Sequence, residues 1–370
     1  MNITLLSALI FVGVFAAVVL IHEFGHFVAA RLLKVEVEEF GIGLPPRVLK
    51  LFRWKGTDFT LNWLPLGGFV RPKGENDPNI PGGLAASSPW VRLGVLFAGP
   101  VMNLLAGVLV NSMLFAQVGV PDMTRVMLYE ISPNSPAEQA GLKADDIILA
   151  IDGVEVTGDE QFRSTIQSHL DQPMKLTVQR GDQTLEITAT PLSSRTAEEG
   201  ALGILPGPPM VPAKSFLQAI PFGTTYTYNQ IRQIVSLPSL IVRGRITPDE
   251  GRFIGLKGIY DLFGQAVSRD VQTREQAAAA PPNTAPIEPS NFTLQIIASL
   301  TLTLGIFNLL PFPALDGGRI IFVLPELVLK RRVPPEFENL VHAVGFALLL
   351  VLMVYINVMD FINPAQFNLP

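Results

Sequence analysis

The sequence predicts a polytopic α-helical membrane protein with four transmembrane helices, a β-hairpin in one connecting loop and one inserted α+β domain. Only 16% of its 370 residues are charged, and the mean hydropathy is +0.37. The apolar residues are gathered into four long runs. A helix needs about 20 such residues to cross the hydrocarbon core, and a soluble core would rarely contain four runs of this length.

The four apolar runs contain almost nothing that can be charged at neutral pH. They are Ile3–Ile21, Leu93–Pro121, Pro289–Leu315 and Asn339–Met359, and His342 is the single exception. The first run begins without a basic leader or a small-residue cleavage site. We therefore expect a retained transmembrane span rather than a removed signal peptide.

Basic residues are concentrated in the loop between spans one and two and in the loop between spans three and four. The first loop contains Arg31, Lys34, Arg47, Lys50, Arg53, Lys55, Arg71, Lys73 and Arg92, and the second contains Arg319, Lys330, Arg331 and Arg332. Because short cytoplasmic loops are rich in Lys and Arg, both loops are predicted to face the cytoplasm of a bacterial plasma membrane. The termini and the segment between spans two and three are then predicted outside.

The composition also excludes several classes of function. The chain has no cysteine, which excludes a thiol nucleophile and cysteine-ligated metal sites. Its Lys and Arg side chains do not form the basic footprint of a nucleic-acid-binding surface. The partner that the apolar runs predict is membrane lipid.

Turn signals divide the chain into four parts. Residues 1–121 hold spans one and two, 122–207 form the α+β domain, 208–290 are amphipathic and linker segments, and 291–370 hold spans three and four. In the α+β domain we expect a helix ending at Gly141, a strand at Ile147–Ile151, a helix at Glu160–Leu170 and a hairpin of Met174–Gln179 with Thr184–Ala189.

Three further segments have distinctive patterns. Phe59–Leu64 has strand character, and Leu66–Val70 is predicted to continue it as a hairpin. Phe216–Ile241 is amphipathic and is predicted to lie on the membrane surface. Residues 272–290 are rich in alanine and proline and are typical of a flexible linker.

An HExxH sequence, His22-Glu23-Phe24-Gly25-His26, stands at the end of the first apolar run. On a helix, residues i and i+4 share a face, so both imidazoles can bind one Zn²⁺ while Glu23 reaches a metal-bound water as general base. The alternatives are a chance match and a polar cluster that only packs against another helix. Ionisable residues in a span are costly, which favours a metal site.

A catalytic zinc site needs a third protein ligand from elsewhere in the chain. The predicted topology favours Asp316, because it lies at the cytoplasmic end of span three, on the same side as His22 and His26. The two prolines before it should break the helix. His342 in span four is an alternative, whereas His169 is predicted to lie on the opposite side of the membrane.

Together these residues resemble the site-2 protease family, in particular its bacterial branch with one PDZ domain. The resemblance covers HEFGH at 22–26, LPLGGFV at 64–70, AGPVMN at 98–103, the α+β domain, and NLLPFPALDGG at 308–318. It implies that spans one to three form the catalytic core, that span four is peripheral, and that His22, His26 and Asp316 bind zinc with Glu23 as base.

The resemblance also implies roles around the metal. Asn308 would position the substrate or stabilise the oxyanion, and Asn103 would lie near the site as a substrate-binding residue. Residues 64–70, with Gly67, Gly68 and Phe69, would belong to a membrane-associated β-hairpin that pairs with an unwound substrate segment. The alternatives are interhelical hydrogen bonding for the asparagines and a tight turn for the glycines.

The α+β domain departs from the PDZ pattern at two points. Asp145-Asp146 stands where a Gly-Asp pair is usual, and no GLGF-like carboxylate-binding loop is evident. The catalytic residues are unaffected by either departure.

The resemblance implies an intramembrane zinc endopeptidase that cleaves transmembrane segments of single-span proteins, such as anti-sigma factors or remnant signal peptides. The PDZ-like domain would admit substrates already shortened by an upstream, site-1-type protease. The alternative function is a non-enzymatic membrane scaffold whose PDZ-like domain binds partners. Glu23 favours the enzyme, because a structural metal site has no use for an adjacent carboxylate and would supply four ligands.

Overall fold

The computed structural model describes residues 3–195, 200–245, 253–279 and 290–364. In these residues the helices are α1 (Ile3–Leu32), α2 (Pro89–Val118), α3 (Pro136–Ala140), α4 (Asp159–Ser168), α5 (Phe216–Val242), α6 (Leu256–Ala279), α7 (Phe292–Leu309), α8 (Asp316–Leu329) and α9 (Pro335–Ile362). The strands are β1 (Val37–Trp54), β2 (Thr57–Pro72), β3 (Val120–Pro121), β4 (Val126–Ile131), β5 (Ile147–Ile151), β6 (Val154–Glu155), β7 (Met174–Arg180), β8 (Gln183–Ala189), β9 (Ile204–Gly207) and β10 (Met210–Val211).

Four of the described helices, α1, α2, α7 and α9, are long and apolar enough to cross a membrane. They coincide with the four apolar runs, so the predicted fold class is confirmed and the chain is a multi-pass membrane protein. The two prolines after Leu309 end α7, and a separate helix, α8, begins at Asp316. Asp316 is therefore the first residue of α8, at a helix break that the sequence predicted.

Strands β1 and β2 form the hairpin of the first loop. They are joined at Lys55 and Gly56, whose φ angles of 47° and 88° are both left-handed, as a two-residue hairpin turn requires. Residues 39–42 of β1 pair with 58–61 on one side and with 68–71 on the other. The hairpin thus bends back on itself, and residues 66–70 are part of β2. The prediction that residues 66–70 continue the strand at 59–64 within a hairpin is therefore confirmed.

The bent hairpin is held by a buried carboxylate at its centre. Glu39 forms ion pairs with Arg47 at 2.7 Å and with Arg71 at 3.0 Å, and the hydroxyl of Thr60 donates to it at 2.8 Å. These partners belong to different segments of β1 and β2. An unpaired carboxylate buried at this position would be costly, so the network favours one register of the folded hairpin.

Helix α6 corrects the linker prediction for residues 272–290. Residues 272–279 complete α6, and 280–289 lie outside the described residues. Alanine, which suggested a linker, is also the strongest helix former. Tertiary packing selects the helix, because Phe263 and Ala266 of α6 are fully buried in a cluster with Phe11 of α1 and Ile296 of α7.

Residues Phe115–Ala219 form one compact unit, and the residues on either side of them form a second. The first of these, which we call the inserted unit, contains a sheet of order β8-β7-β5-β4-β9, with β6 paired to β5. Its core includes Leu128, Phe162, Leu176 and Val178, each fully buried. The predicted short helix, strand, longer helix and hairpin correspond to α3, β5, α4 and β7–β8.

The two residues of the Asp145-Asp146 pair fit this unit in different ways, one through its backbone and the other through its side chain. Asp145 has a φ of 68°, a left-handed conformation that glycine favours and aspartate tolerates. The buried carboxylate of Asp146 accepts hydrogen bonds from the guanidinium of Arg180, each at 2.7 Å, and this hydrogen bonding raises the pKa of Arg180. The departure from a Gly-Asp pair is therefore accommodated without loss of the turn.

Candidate metal centre

His22, His26 and Asp316 converge on one point. The two Nε2 atoms are 3.2 Å apart, and Asp316 Oδ2 lies 3.1 Å from that of His22 and 3.3 Å from that of His26. Both histidines are buried, at 6% and 9% exposure. Among the described residues these three form the group of His, Asp or Glu side chains arranged to hold a metal ion.

Close contact between α1 and α2 shapes the site. A Cβ at Gly25 of α1 would lie 2.4 Å from the carbonyl oxygen of Ala98, and a Cβ at Gly99 of α2 would lie 2.3 Å from Nε2 of His26. Both positions therefore require glycine. The absence of side chains there lets α2 approach the face of α1 that carries the histidines.

The hydrogen bonding of His26 prepares Nε2 to bind a metal. Nδ1 of His26 lies 2.8 Å from the carbonyl oxygen of Val95. A carbonyl only accepts, so Nδ1 carries the proton, and in the neutral ring the lone pair of Nε2 is left to bind a metal. Histidines that bind metals commonly donate their other N–H to a carbonyl in this way.

Asn103 is placed to bind Nδ1 of His22, as the carbonyl of Val95 binds Nδ1 of His26. Its side-chain nitrogen is 3.5 Å from Nδ1 of His22, while its oxygen is buried without a hydrogen-bond partner in the described part of the chain. The two ends of an amide have nearly the same shape, so the side chain fits the same space in either orientation. Turning the amide over would let the orphaned oxygen accept from a protonated Nδ1, leaving Nε2 of His22 free as a ligand.

These atoms fit a zinc ion. Two imidazole lone pairs and a carboxylate oxygen within 3.1–3.3 Å of one another repel unless a cation or proton lies among them. Imidazole nitrogen and carboxylate oxygen are the ligands that zinc binds in catalytic sites with three protein ligands.

Glu23 lies between the histidines and strand β2. Its Oε2 accepts a hydrogen bond from the backbone N–H of Val70 at 3.0 Å. Glu23 and both histidines line a cavity of about 260 Å³, which Phe69 and Val70 of β2 and Asn308 of α7 also line. The cavity therefore brings together residues from α1, β2 and α7 around the potential ligands.

The other residues singled out from the sequence have varied environments. The side-chain nitrogen of Asn308 donates to the carbonyl of Leu304 at 3.0 Å in its own helix. Gly67, with a φ of 100°, and Gly68 lie against Val19 and Leu20 of α1. Nε2 of His169 is 3.1 Å from Asp152 in the inserted unit.

His342 lies beside the loop that precedes Asp316. The backbone N–H of Ala314 donates to Nδ1 of His342 at 2.8 Å. This histidine is not a member of the group that could hold a metal. The alternative that it is a zinc ligand is therefore not favoured.

Several contacts of the site could not be assigned from the sequence. The carbonyl of Val95 and the N–H of Val70 are backbone groups with no residue signature. The sequence signals nearest to these groups are the LPLGGFV motif, which contains Val70, and Gly99 within the AGPVMN motif.

A second cavity, of about 410 Å³, lies within the inserted unit. It is lined by Ile166 and Leu170 on the α4 side and by Leu202 and Ile204 at the edge strand β9, with Arg163 and Arg195 also at its wall. Residues 201–204 read Ala-Leu-Gly-Ile, and Gly203 has a φ of 71°. From the sequence, no GLGF-like carboxylate-binding loop was expected in this domain.

The fold and the site define a multi-pass membrane protein with a buried two-histidine, one-aspartate centre and an adjacent glutamate. The profile of peptidase family M50 matches residues 10–352, so the chain belongs to this family. The predicted membership of the site-2 protease family is thereby confirmed. The expectation that the chain is a peptidase is confirmed as well. The family assignment does not favour the scaffold alternative.

Individual relatives match over almost the whole chain. A protein of Clostridium perfringens is 32% identical over 353 residues, which are 95% of this chain and 97% of the relative. The zinc metalloprotease RasP of Oceanobacillus iheyensis is 28% identical, with 94% of this chain and 96% of the relative covered. The regulator of sigma-W protease RasP of Bacillus subtilis is 26% identical, with coverage of 95% and 97%.

Proposed function

We propose that this protein is an intramembrane zinc endopeptidase that cleaves transmembrane segments of single-span membrane proteins. The observation that carries the proposal is the convergence of His22, His26 and Asp316 beside Glu23, with both histidines and Glu23 on α1, a helix that can cross a membrane. The relatives named as zinc metalloproteases support zinc as the metal. We assign the two histidines and Asp316 as its ligands.

Zinc held there would supply a Lewis acid for the scissile carbonyl and a water with a lowered pKa. The chain's own groups do the rest. The N–H of Val70 holds Glu23 by Oε2 at 3.0 Å, so we assign the transferred proton to Oε1. Glu23 takes that proton from the attacking water and returns it to the leaving amine.

Strand β2 is proposed to bind the substrate. A transmembrane helix hides its peptide bonds, so a segment must unwind and find new main-chain partners before it can be cut. Val70 directs its N–H to Glu23, which places one edge of β2 at the cavity. An unwound segment added along residues 67–70 would receive backbone hydrogen bonds and lie next to the catalytic glutamate.

Asn308 and Asn103 are proposed to have different roles. Asn308 lines the cavity and donates one side-chain N–H to the carbonyl of Leu304, so we assign its second N–H to positioning the substrate or the developing oxyanion. Asn103 is proposed to orient His22 and not to contact the substrate.

The inserted unit is proposed to be a single PDZ-like domain outside the cytoplasm. The concentration of Lys and Arg in the other loops supports this orientation. In this position the domain would control the entry of substrates that an upstream protease has shortened. The relative named for the regulation of sigma-W supports membrane-bound anti-sigma factors as one substrate class, in a bacterial plasma membrane.

Cleavage and metal content measured together test the proposal. Purified protein in detergent would be incubated with a tagged single-span substrate, beside Glu23→Gln and the control Glu36→Gln, whose exposed carboxylate pairs with Lys73. Wild type and E36Q should cut within the apolar segment, whereas E23Q should bind zinc without cutting. Wild type that binds no zinc and does not cut would refute the proposal.

A further inference from the structure

Helix α9 is mostly exposed in the structure but contacts the loop that leads to Asp316. Its buried residues include Gly345, where an added Cβ would lie 2.2 Å from Cβ of Pro313. One turn earlier, Nδ1 of His342 accepts the N–H of Ala314 at 2.8 Å. Two consecutive residues of the loop are therefore fixed by one face of α9.

The loop needs such support because its backbone is strained. Ala314 has a φ of 74°, a left-handed conformation that is unfavourable for a residue with a Cβ. Leu315 precedes α8 without a side-chain cap. The loop also folds tightly over the start of α8, because a Cβ at Gly317 or Gly318 would lie 2.2 Å from a backbone oxygen of the loop.

The protonation of His342 agrees with a specific role for Nδ1. An N–H donates to Nδ1, so the ring proton is on Nε2, and that atom is buried without a partner in the described residues. A buried donor without an acceptor is unfavourable. The ring nevertheless adopts this tautomer, since the other would set two N–H groups against each other.

We propose that His342 is a positioning residue of the metal centre: by accepting the N–H of Ala314, it holds the loop in the one conformation that presents Asp316 to His22 and His26. This inference rests on the proposed zinc site and goes beyond it, because His342 belongs neither to the potential metal ligands nor to the cavity lining in the described part of the chain. Residues that orient metal ligands typically change metal affinity about 10–100-fold when they are replaced.

Zinc affinity of the full-length protein in detergent, measured by competition with a chromogenic chelator, tests the role. His342→Phe keeps a ring but removes the acceptor, and should lower the affinity about 10–100-fold. His342→Asn places an acceptor oxygen near the position of Nδ1 and should restore wild-type affinity. Phe337→Leu removes a ring contact between α9 and Phe322 and should leave the affinity unchanged.

The outcomes separate this inference from the proposed function. Wild type that binds no zinc refutes both. Wild-type affinity in H342F, or an equal loss in H342F and H342N, refutes only the role of the Nδ1 acceptor. An equal loss in F337L shows a general effect of helix packing and refutes it as well. If H342F does not fold, His342→Leu takes its place, with the same expected loss and the same rescue by H342N.

Discussion

Gly99 of α2 lies directly against Nε2 of His26, the nitrogen proposed to bind the metal. A Cβ added at Gly99 would be 2.3 Å from His26 Nε2, closer than any non-bonded contact allows. The glycine therefore leaves room for the His26 ring at the proposed metal site.

Replacing Gly99 by alanine should abolish stoichiometric zinc binding, because the methyl group must displace the His26 ring. Zinc content after purification is the measurement. Gly13→Ala, in α1 with nothing within 4 Å of the added Cβ, is the control. G13A should keep its zinc and gain up to about 0.5–1 kcal/mol in helix stability. Normal zinc in G99A would contradict the packing described.

Asp316→Asn should also remove bound zinc, because an amide oxygen carries no charge to balance the metal and coordinates it weakly. Glu326→Gln is a control on the same helix, since Glu326 pairs with Arg92 at 2.6 Å away from the histidines. E326Q should keep its zinc even if its melting temperature falls. Equal zinc in D316N and wild type would exclude Asp316 as a ligand.

Asn103→Leu should weaken zinc binding about 10–100-fold through the loss of a partner for His22 Nδ1. Asn111→Leu provides the matched comparison on α2, because Asn111 is equally buried but donates to Thr227 and Gln230, each at 2.8 Å. N111L should lower stability and leave zinc affinity unchanged. Chelator competition distinguishes the two. The same affinity loss in both variants would reject a specific role for Asn103.

Asp270 joins α6 to the start of α7. Its carboxylate accepts the N–H groups of Phe292 and Thr293, both at 3.0 Å, and the hydroxyl of Ser290 at 2.8 Å. Asp270→Ala should reduce the free energy of unfolding by about 1–2 kcal/mol, as the loss of a helix cap does. Thermal unfolding in detergent would measure this loss of stability.

Asp261→Asn provides the comparison for Asp270, since it breaks an i,i+4 ion pair with Lys257 on the same helix. Surface pairs of this kind contribute only about 0.3–0.5 kcal/mol. If D270A and D261N melt at the same temperature, the capping role is disproved.

The sequence by itself determined the transmembrane helices and the identity of the potential metal-binding residues. Uninterrupted apolar runs permit few structures in a membrane, and HExxH places two histidines on one face through local helical geometry alone. The helix break before Asp316 follows from the prolines, which cannot continue the hydrogen-bonding pattern.

Only the tertiary structure decided which groups complete the site. The folding of β1 and β2 into four paired segments depends on contacts across the loop, such as those of Glu39, so the pairing of residues 68–71 with residues 39–42 could not be predicted from the sequence. Residues 272–279 became helix because α6 buries Phe263 and Ala266 against other helices. The carbonyl of Val95 and the N–H of Val70 act as backbone groups, and His342 acts through Ala314. Such contacts join residues that are distant in the chain through groups every residue has, so no local pattern in the sequence could reveal them.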